Sequence, residues 1–189
     1  MNSKIKKIVY ASMFAVINYV AFTYGKITIP VTAGTSTAIH IANAVVVLSS
    51  WFLGPLYGAL SGAIGLSIAD VLDPRYITSA PKTFILKFMI GLIAGLIAKK
   101  MRLQEKTERK DIIRICTISA AAGLGFNVIF DPIFGYFYRQ YLLGIPQEAA
   151  KIIATWVAGA TAFNAVVCVI ISVILYLALY KTFLPRLPK

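Results

Sequence analysis

Apolar positions along this chain gather into six long runs separated by short turn-forming or charged segments. The runs cover about residues 5–24, 38–53, 56–72, 81–98, 111–130 and 147–180. A helix that crosses a bilayer needs about 20 mostly apolar residues, and each run reaches or approaches that length. The pattern predicts an all-α integral membrane protein of six transmembrane helices in one unit, 1–189. Gly25-Lys26 and Pro30 close the first run, and the Gly/Thr-rich residues 28–37 read as an outer loop. Gly54-Pro55 leaves room only for a tight inner turn. Asp73-Pro74-Arg75 opens a second outer loop, and Pro81 suits the first turn of the fourth helix. Asp131-Pro132 is expected to end the fifth, because a proline disfavours helix at the residue before it. Residues 133–143 hold Phe134, Tyr136, Phe137, Tyr138 and Tyr141, an interfacial belt or a lid over the outer face. The sixth run exceeds 30 residues, so it should tilt or protrude.

Charge adds a direction. Of 19 Lys and Arg, 13 fall at the two termini and between the fourth and fifth runs. They are Lys4, Lys6, Lys7, Lys99, Lys100, Arg102, Lys106, Arg109, Lys110, Arg114, Lys181, Arg186 and Lys189. Short Lys/Arg-rich loops stay cytoplasmic, which places both termini inside. The net charge of +12 is then a topology signal. Nucleic acid is not expected as a partner, since the basic runs carry no interleaved aromatics. The first run, preceded by lysines, is long enough to be a retained span rather than a cleaved signal peptide. With 59 % hydrophobic residues, little chain is left for a soluble catalytic domain. Cys116 and Cys168 lie in apolar runs and read as packing.

Several residue sets are candidates for function. Ala11 and Ala15, and the ladders Gly54/Gly58/Gly62 and Gly91/Gly95, allow close helix approach, which holds helices together where lipid supplies no hydrophobic drive. Polar groups in the outer halves of the runs are costly in a bilayer: His40, Asn43, Asp70, Lys87, Asn127, Asp131 and Asn164. Asp70 and Lys87, at similar depth on neighbouring helices, are expected either to form an ion pair or to belong to the binding site. Asn127 and Asp131, four apart, share a helix face, and nothing nearby in sequence partners Asp131. His40 is the only histidine, so no metal site and no cofactor are expected. No G-x-x-x-x-G-K-[ST] phosphate loop is present, so energy for transport would have to come from elsewhere. Without a G-x-S-x-G elbow, an intramembrane enzyme is a poor reading.

Residues 39–98 resemble a substrate-binding S component of an energy-coupling factor (ECF) vitamin transporter. The resemblance rests on His40-Ile41-Ala42-Asn43-Ala44, Leu53-Gly54-Pro55-Leu56-Tyr57-Gly58, Ala69-Asp70, and Thr83-Phe84-Ile85-Leu86-Lys87. It implies a multi-pass protein of the bacterial cell membrane, with a transmembrane scaffold subunit and two ATPase subunits as partners. Ala11-x-x-x-Ala15 is similar to the stripe by which such components dock on the scaffold. Substrate is implied near the outer face, under the loops after the first, third and fifth helices. Within the family the sequence is most similar to the riboflavin-type subgroup, which implies a small heteroaromatic ligand such as hydroxymethylpyrimidine or pyridoxine. Riboflavin, folate, pantothenate or a queuosine precursor are alternatives. Tyr136, Tyr138 and Trp156 would stack its ring, while His40, Asn43, Asn127, Asp131 and Asn164 would bond its edge. A non-transporting membrane scaffold of similar fold is the competing reading; its polar residues would be paired off among themselves.

Overall fold

The structure is a computed structural model that describes residues 3–32 and 35–187; Lys189, one of the expected inner charges, lies outside them. Six helices form: α1 (Ser3–Gly25), α2 (Ala42–Leu53), α3 (Pro55–Val71), α4 (Ala80–Lys100), α5 (Arg109–Phe137) and α6 (Gln147–Phe183). The helices lie within a few residues of the six apolar runs except in two places. The segment after α1 is not a loop but an antiparallel hairpin, β1 (Lys26–Thr32) with β2 (Thr35–His40), in register Lys26↔His40 and Thr28↔Ala38. The all-α expectation is corrected there. The β-branched residues Ile27, Thr28, Ile29, Val31 and Thr32 around Pro30 suit an extended strand, and α2 starts only at Ala42.

The second difference is at Pro132. Helix α5 continues through it to Phe137, followed by a π-type turn, Tyr138–Leu142. Proline removes one backbone donor, but packing against neighbouring helices keeps such a helix intact in membranes. The continuation has a consequence: Asn127, Asp131, Gly135 and Arg139, spaced four apart, all point inward.

Helix α2 is the centre of the molecule, with all 12 of its residues buried. At about 1.5 Å per residue it is roughly 18 Å long, and α3, with 17 residues, is also shorter than a crossing. Among the described residues, four helices are long and apolar enough to cross a bilayer: α1, α4, α5 with its π turn, and α6. A short α2 works because other helices shield it from lipid. The polar groups at its C-terminal end are satisfied internally: Ser49 Oγ donates to the Val46 carbonyl at 2.7 Å, and Trp51 Nε1 donates to Ser119 Oγ at 2.9 Å. Small residues set the spacing as expected. A Cβ on Gly91 would sit 2.7 Å from the Ala59 Cα, and one on Gly65 would collide with the Ala15 carbonyl oxygen. Ala15 therefore packs partly within the molecule, against α3. At the end of the bundle opposite the hairpin, Phe14, Phe52, Tyr176 and Phe183 interlock α1, α2 and α6.

Candidate functional site

A polar cavity lies beneath the hairpin, bounded by α2–α6. Its wall includes Phe22, Thr37, His40, Asn43, Asp70, Tyr76, Lys82, Thr83, Lys87, Asp131, Arg139, Thr161 and Asn164. Six acidic or basic side chains among these are almost fully buried: His40, Asp70, Lys82, Lys87, Asp131 and Arg139. Stranded charge is expensive away from water, so such a concentration marks either a tight ion network or a binding site. The cavity measures about 80 Å³, space for a few waters or one polar headgroup. A larger cavity, about 410 Å³, opens at the opposite end between the α2–α3 turn and residues 102–105. Its cations, Lys7, Lys99 and Arg102, are half-buried or exposed, and it holds none of the buried charges.

The hairpin roof is fastened by side chains. Asn164 on α6 accepts from the His40 backbone N–H and donates to the Ala38 carbonyl, both at 3.0 Å. Tyr76 Oη donates to the Thr37 carbonyl or Thr28 Oγ1 at 3.3 Å. Lys26 Nζ reaches Asp73 at 2.7 Å, tying the start of β1 to the α3–α4 connection. Arg75, through three contacts of 2.9–3.1 Å, and then Lys26 hold the Asp73 carboxyl well below the usual carboxylate range. Phe22 and Tyr76 flank the Lys26 ammonium at 4.5 and 4.8 Å. The connections after α1, α3 and α5 together build the roof and rim at one end of the bundle.

The ion pairing differs from expectation. Asp70 and Lys87 both line the cavity but form no direct pair. Asp70 Oδ2 instead accepts from Thr83 Oγ1 at 2.5 Å. Asp131, expected to lack a partner, is paired with Lys82. Rotation about the helix explains the exchange. Lys82 and Thr83 are one residue apart, about 100° around α4, and α4 sits between α3 and α5. Thr83 faces Asp70 on α3, and Lys82 faces Asp131 on α5.

His40, Asn43, Asp131 and Asn164 line the cavity. Asn127 lies one turn deeper on α5, buried but off the wall. Tyr136, Tyr138 and Trp156, the aromatics expected to stack a ligand ring, do not line it. Trp156 is 52 % exposed. Tyr138 donates to the Thr78 carbonyl at 2.8 Å, and Phe137 and Tyr141 lie on the surface. The aromatic segment lies on the surface of the bundle, and the hairpin rather than this segment covers the cavity. Sequence reasoning missed Lys82, Tyr76 and Arg139. Arg139 could have been found by extending the Asn127–Asp131 spacing past Pro132. Its guanidinium folds back over Gly135, where an added Cβ would lie 2.8 Å from Nη1. Four buried polar atoms of predicted or missed site residues have no hydrogen-bond partner: His40 Nδ1, Asn43 Oδ1, Asn127 Oδ1 and Arg139 Nη1.

Two comparisons bear on this arrangement. A family model described as the S component of the ECF-type riboflavin transporter matches residues 2–181. The fold is similar to the crystal structure of the S component for biotin from an ECF-type ABC transporter, with TM-score 0.63, 18 % identity and complete coverage of both chains. At that identity the likeness is one of fold.

Proposed function

The chain belongs to the family of ECF-type riboflavin transporter S components, and from that premise we propose that it captures a small vitamin in the cavity beneath the hairpin. It is a multi-pass membrane protein of a vitamin-transport family. In our reading its six helices sit in a bacterial cell membrane with both termini inside. It performs no chemistry itself; a scaffold subunit and two ATPase subunits drive delivery. The observation that carries this reading is the buried cavity wall with unpaired polar atoms, His40 Nδ1, Asn43 Oδ1 and Arg139 Nη1. A structural scaffold gains nothing from buried groups left unsatisfied, because each costs about 1–3 kcal/mol. A ligand that supplies their partners turns that cost into affinity.

The size of the cavity says how binding proceeds. At about 80 Å³ it is well below the roughly 300–1,000 Å³ of ordinary ligand sites. The hairpin must lift for a whole vitamin to enter, and its fastening through Asn164, Tyr76 and Lys26 makes it a hinged roof rather than part of the helical core. Hydroxymethylpyrimidine and pyridoxine, the ligands expected from sequence, would bond His40, Asn43 and Asn164 but find only Phe22 and Tyr76 as aromatic faces. Docking to the scaffold uses α1. Its Ala11 and Ala15 are half-buried beside the inward stripe Phe14, Asn18 and Phe22, and Val9, Met13, Val16 and Val20 are exposed. Mass spectrometry of small molecules that copurify with the full chain tests the proposal. A vitamin retained by wild type and lost when the roof is cut loose by Asn164→Ala is the expected result. A wild-type protein that retains nothing and binds no vitamin in titration would refute it.

A further inference from the structure

The charged groups of the outer cavity do not balance. Lys82, Lys87 and Arg139 line it against Asp70 and Asp131, and none of the five is more than 7 % exposed. With His40 neutral, the wall carries one excess positive charge. The pairing shows where the excess sits. Lys82 is taken by Asp131, and Asp70 by the hydroxyl of Thr83. Lys26, the next cation along the rim, is held by Asp73. Among the described residues, neither Lys87 nor Arg139 has a direct carboxylate partner, and Arg139 Nη1 has no acceptor of any kind. Asp131 lies within electrostatic reach of both and Asp70 within reach of Lys87, but two carboxylates cannot neutralise three cations. Burying an unpaired cation is unfavourable unless something supplies the counter-charge.

Resting on the reading that this cavity is the substrate site, we propose that the ligand is an organic monoanion whose carboxylate seats between Lys87 and Arg139. A guanidinium presents a planar fork that matches a carboxylate, and charge-assisted bonds of this kind are the strong ones. The single excess charge fits a carboxylate better than a phosphate monoester, which carries close to two charges at neutral pH. The cavity volume of about 80 Å³ suits one such headgroup, with the rest of the molecule extending toward Phe22 and the lifted hairpin. Gly135 leaves room for this arrangement, since an added Cβ would lie 2.8 Å from Arg139 Nη1 and push the guanidinium aside.

The test is calorimetric titration of the purified full chain with acids and their uncharged counterparts: pantothenate with pantothenol, nicotinate with nicotinamide, and biotin with biotinol. Uncharged pyridoxine and hydroxymethylpyrimidine complete the set. One acid should bind, with its counterpart weaker by about 10- to 100-fold, the worth of a hydrogen bond to a charged group. Lys87→Met and Arg139→Gln should each remove most of that discrimination, whereas Lys87→Arg, which keeps the charge, should retain it. Having two separate variants guards against one that fails to fold. Equal affinity for an acid and its counterpart overturns the monoanion assignment, as does binding of pyridoxine or hydroxymethylpyrimidine with no acid bound; both outcomes leave the vitamin-capture reading standing. No binding by any member, with nothing copurified, removes both.

Discussion

Removing Asp131 should damage this protein more than removing its partner Lys82. Both side chains are 7 % exposed and paired with each other, and breaking one half of a buried pair costs about 3–5 kcal/mol because the other charge is stranded. The surroundings make the two halves unequal. Asp131→Asn leaves Lys82, Lys87 and Arg139 facing only Asp70, raising the excess from one positive charge to two. Lys82→Met leaves Asp131 within reach of Lys87 and Arg139 and brings the wall to neutrality. Asp131→Asn should therefore lie near 5 kcal/mol and Lys82→Met near or below 3 kcal/mol, within the range for broken buried pairs. The double variant restores the original excess of one, so it should cost at least about 2 kcal/mol less than the sum. Unfolding of the three variants in mixed detergent, followed by circular dichroism, closes the cycle. Additivity within about 0.5 kcal/mol, or a larger loss for Lys82→Met, would refute the proposed pairing.

Three further outcomes are expected. Gly65→Ala drives a methyl into the Ala15 carbonyl; the misfit should cost about 1–3 kcal/mol, measured by the same unfolding assay, with Gly125→Ala, which meets open space, as the neutral control. Replacing Ala11 and Ala15 with Trp should abolish copurification with the scaffold subunit while ligand affinity changes less than about threefold, under 1 kcal/mol; retained association would remove α1 from the docking face. Asp73 has its pKa lowered by Arg75 and Lys26, so its contribution to fastening the hairpin is complete above the unfolded-state value near 4. That contribution is lost only as pH falls through the lower folded value, and wild type and Asp73→Asn should differ in melting temperature at pH 7 but converge toward pH 2.

Much of this protein is decided locally, and such features are legible in the chain. Runs of about 20 apolar residues form helices in any bundle, and the Gly54-Pro55 turn leaves only one connection between α2 and α3. The inward stripe of α5 is a matter of spacing, and His40, Asn43, Asp131 and Asn164 stand out because polar groups among apolar runs need a reason. Tertiary packing decided the rest. Pro132 bends to it, because neighbouring helices hold α5 together past a residue that would end an isolated helix, and that carries Gly135 and Arg139 into the site. The ion pairs depend on a rotation of about 100° between Lys82 and Thr83, set by α4 packing between α3 and α5 and invisible in sequence separation. The roof follows the same rule: a two-stranded hairpin is marginal alone, and Asn164, Tyr76 and Asp73, drawn from distant parts of the chain, hold it over the cavity. Excess charge in the site is therefore a property of the fold, since the sequence supplies the lysines and carboxylates but only packing selects which of them face each other.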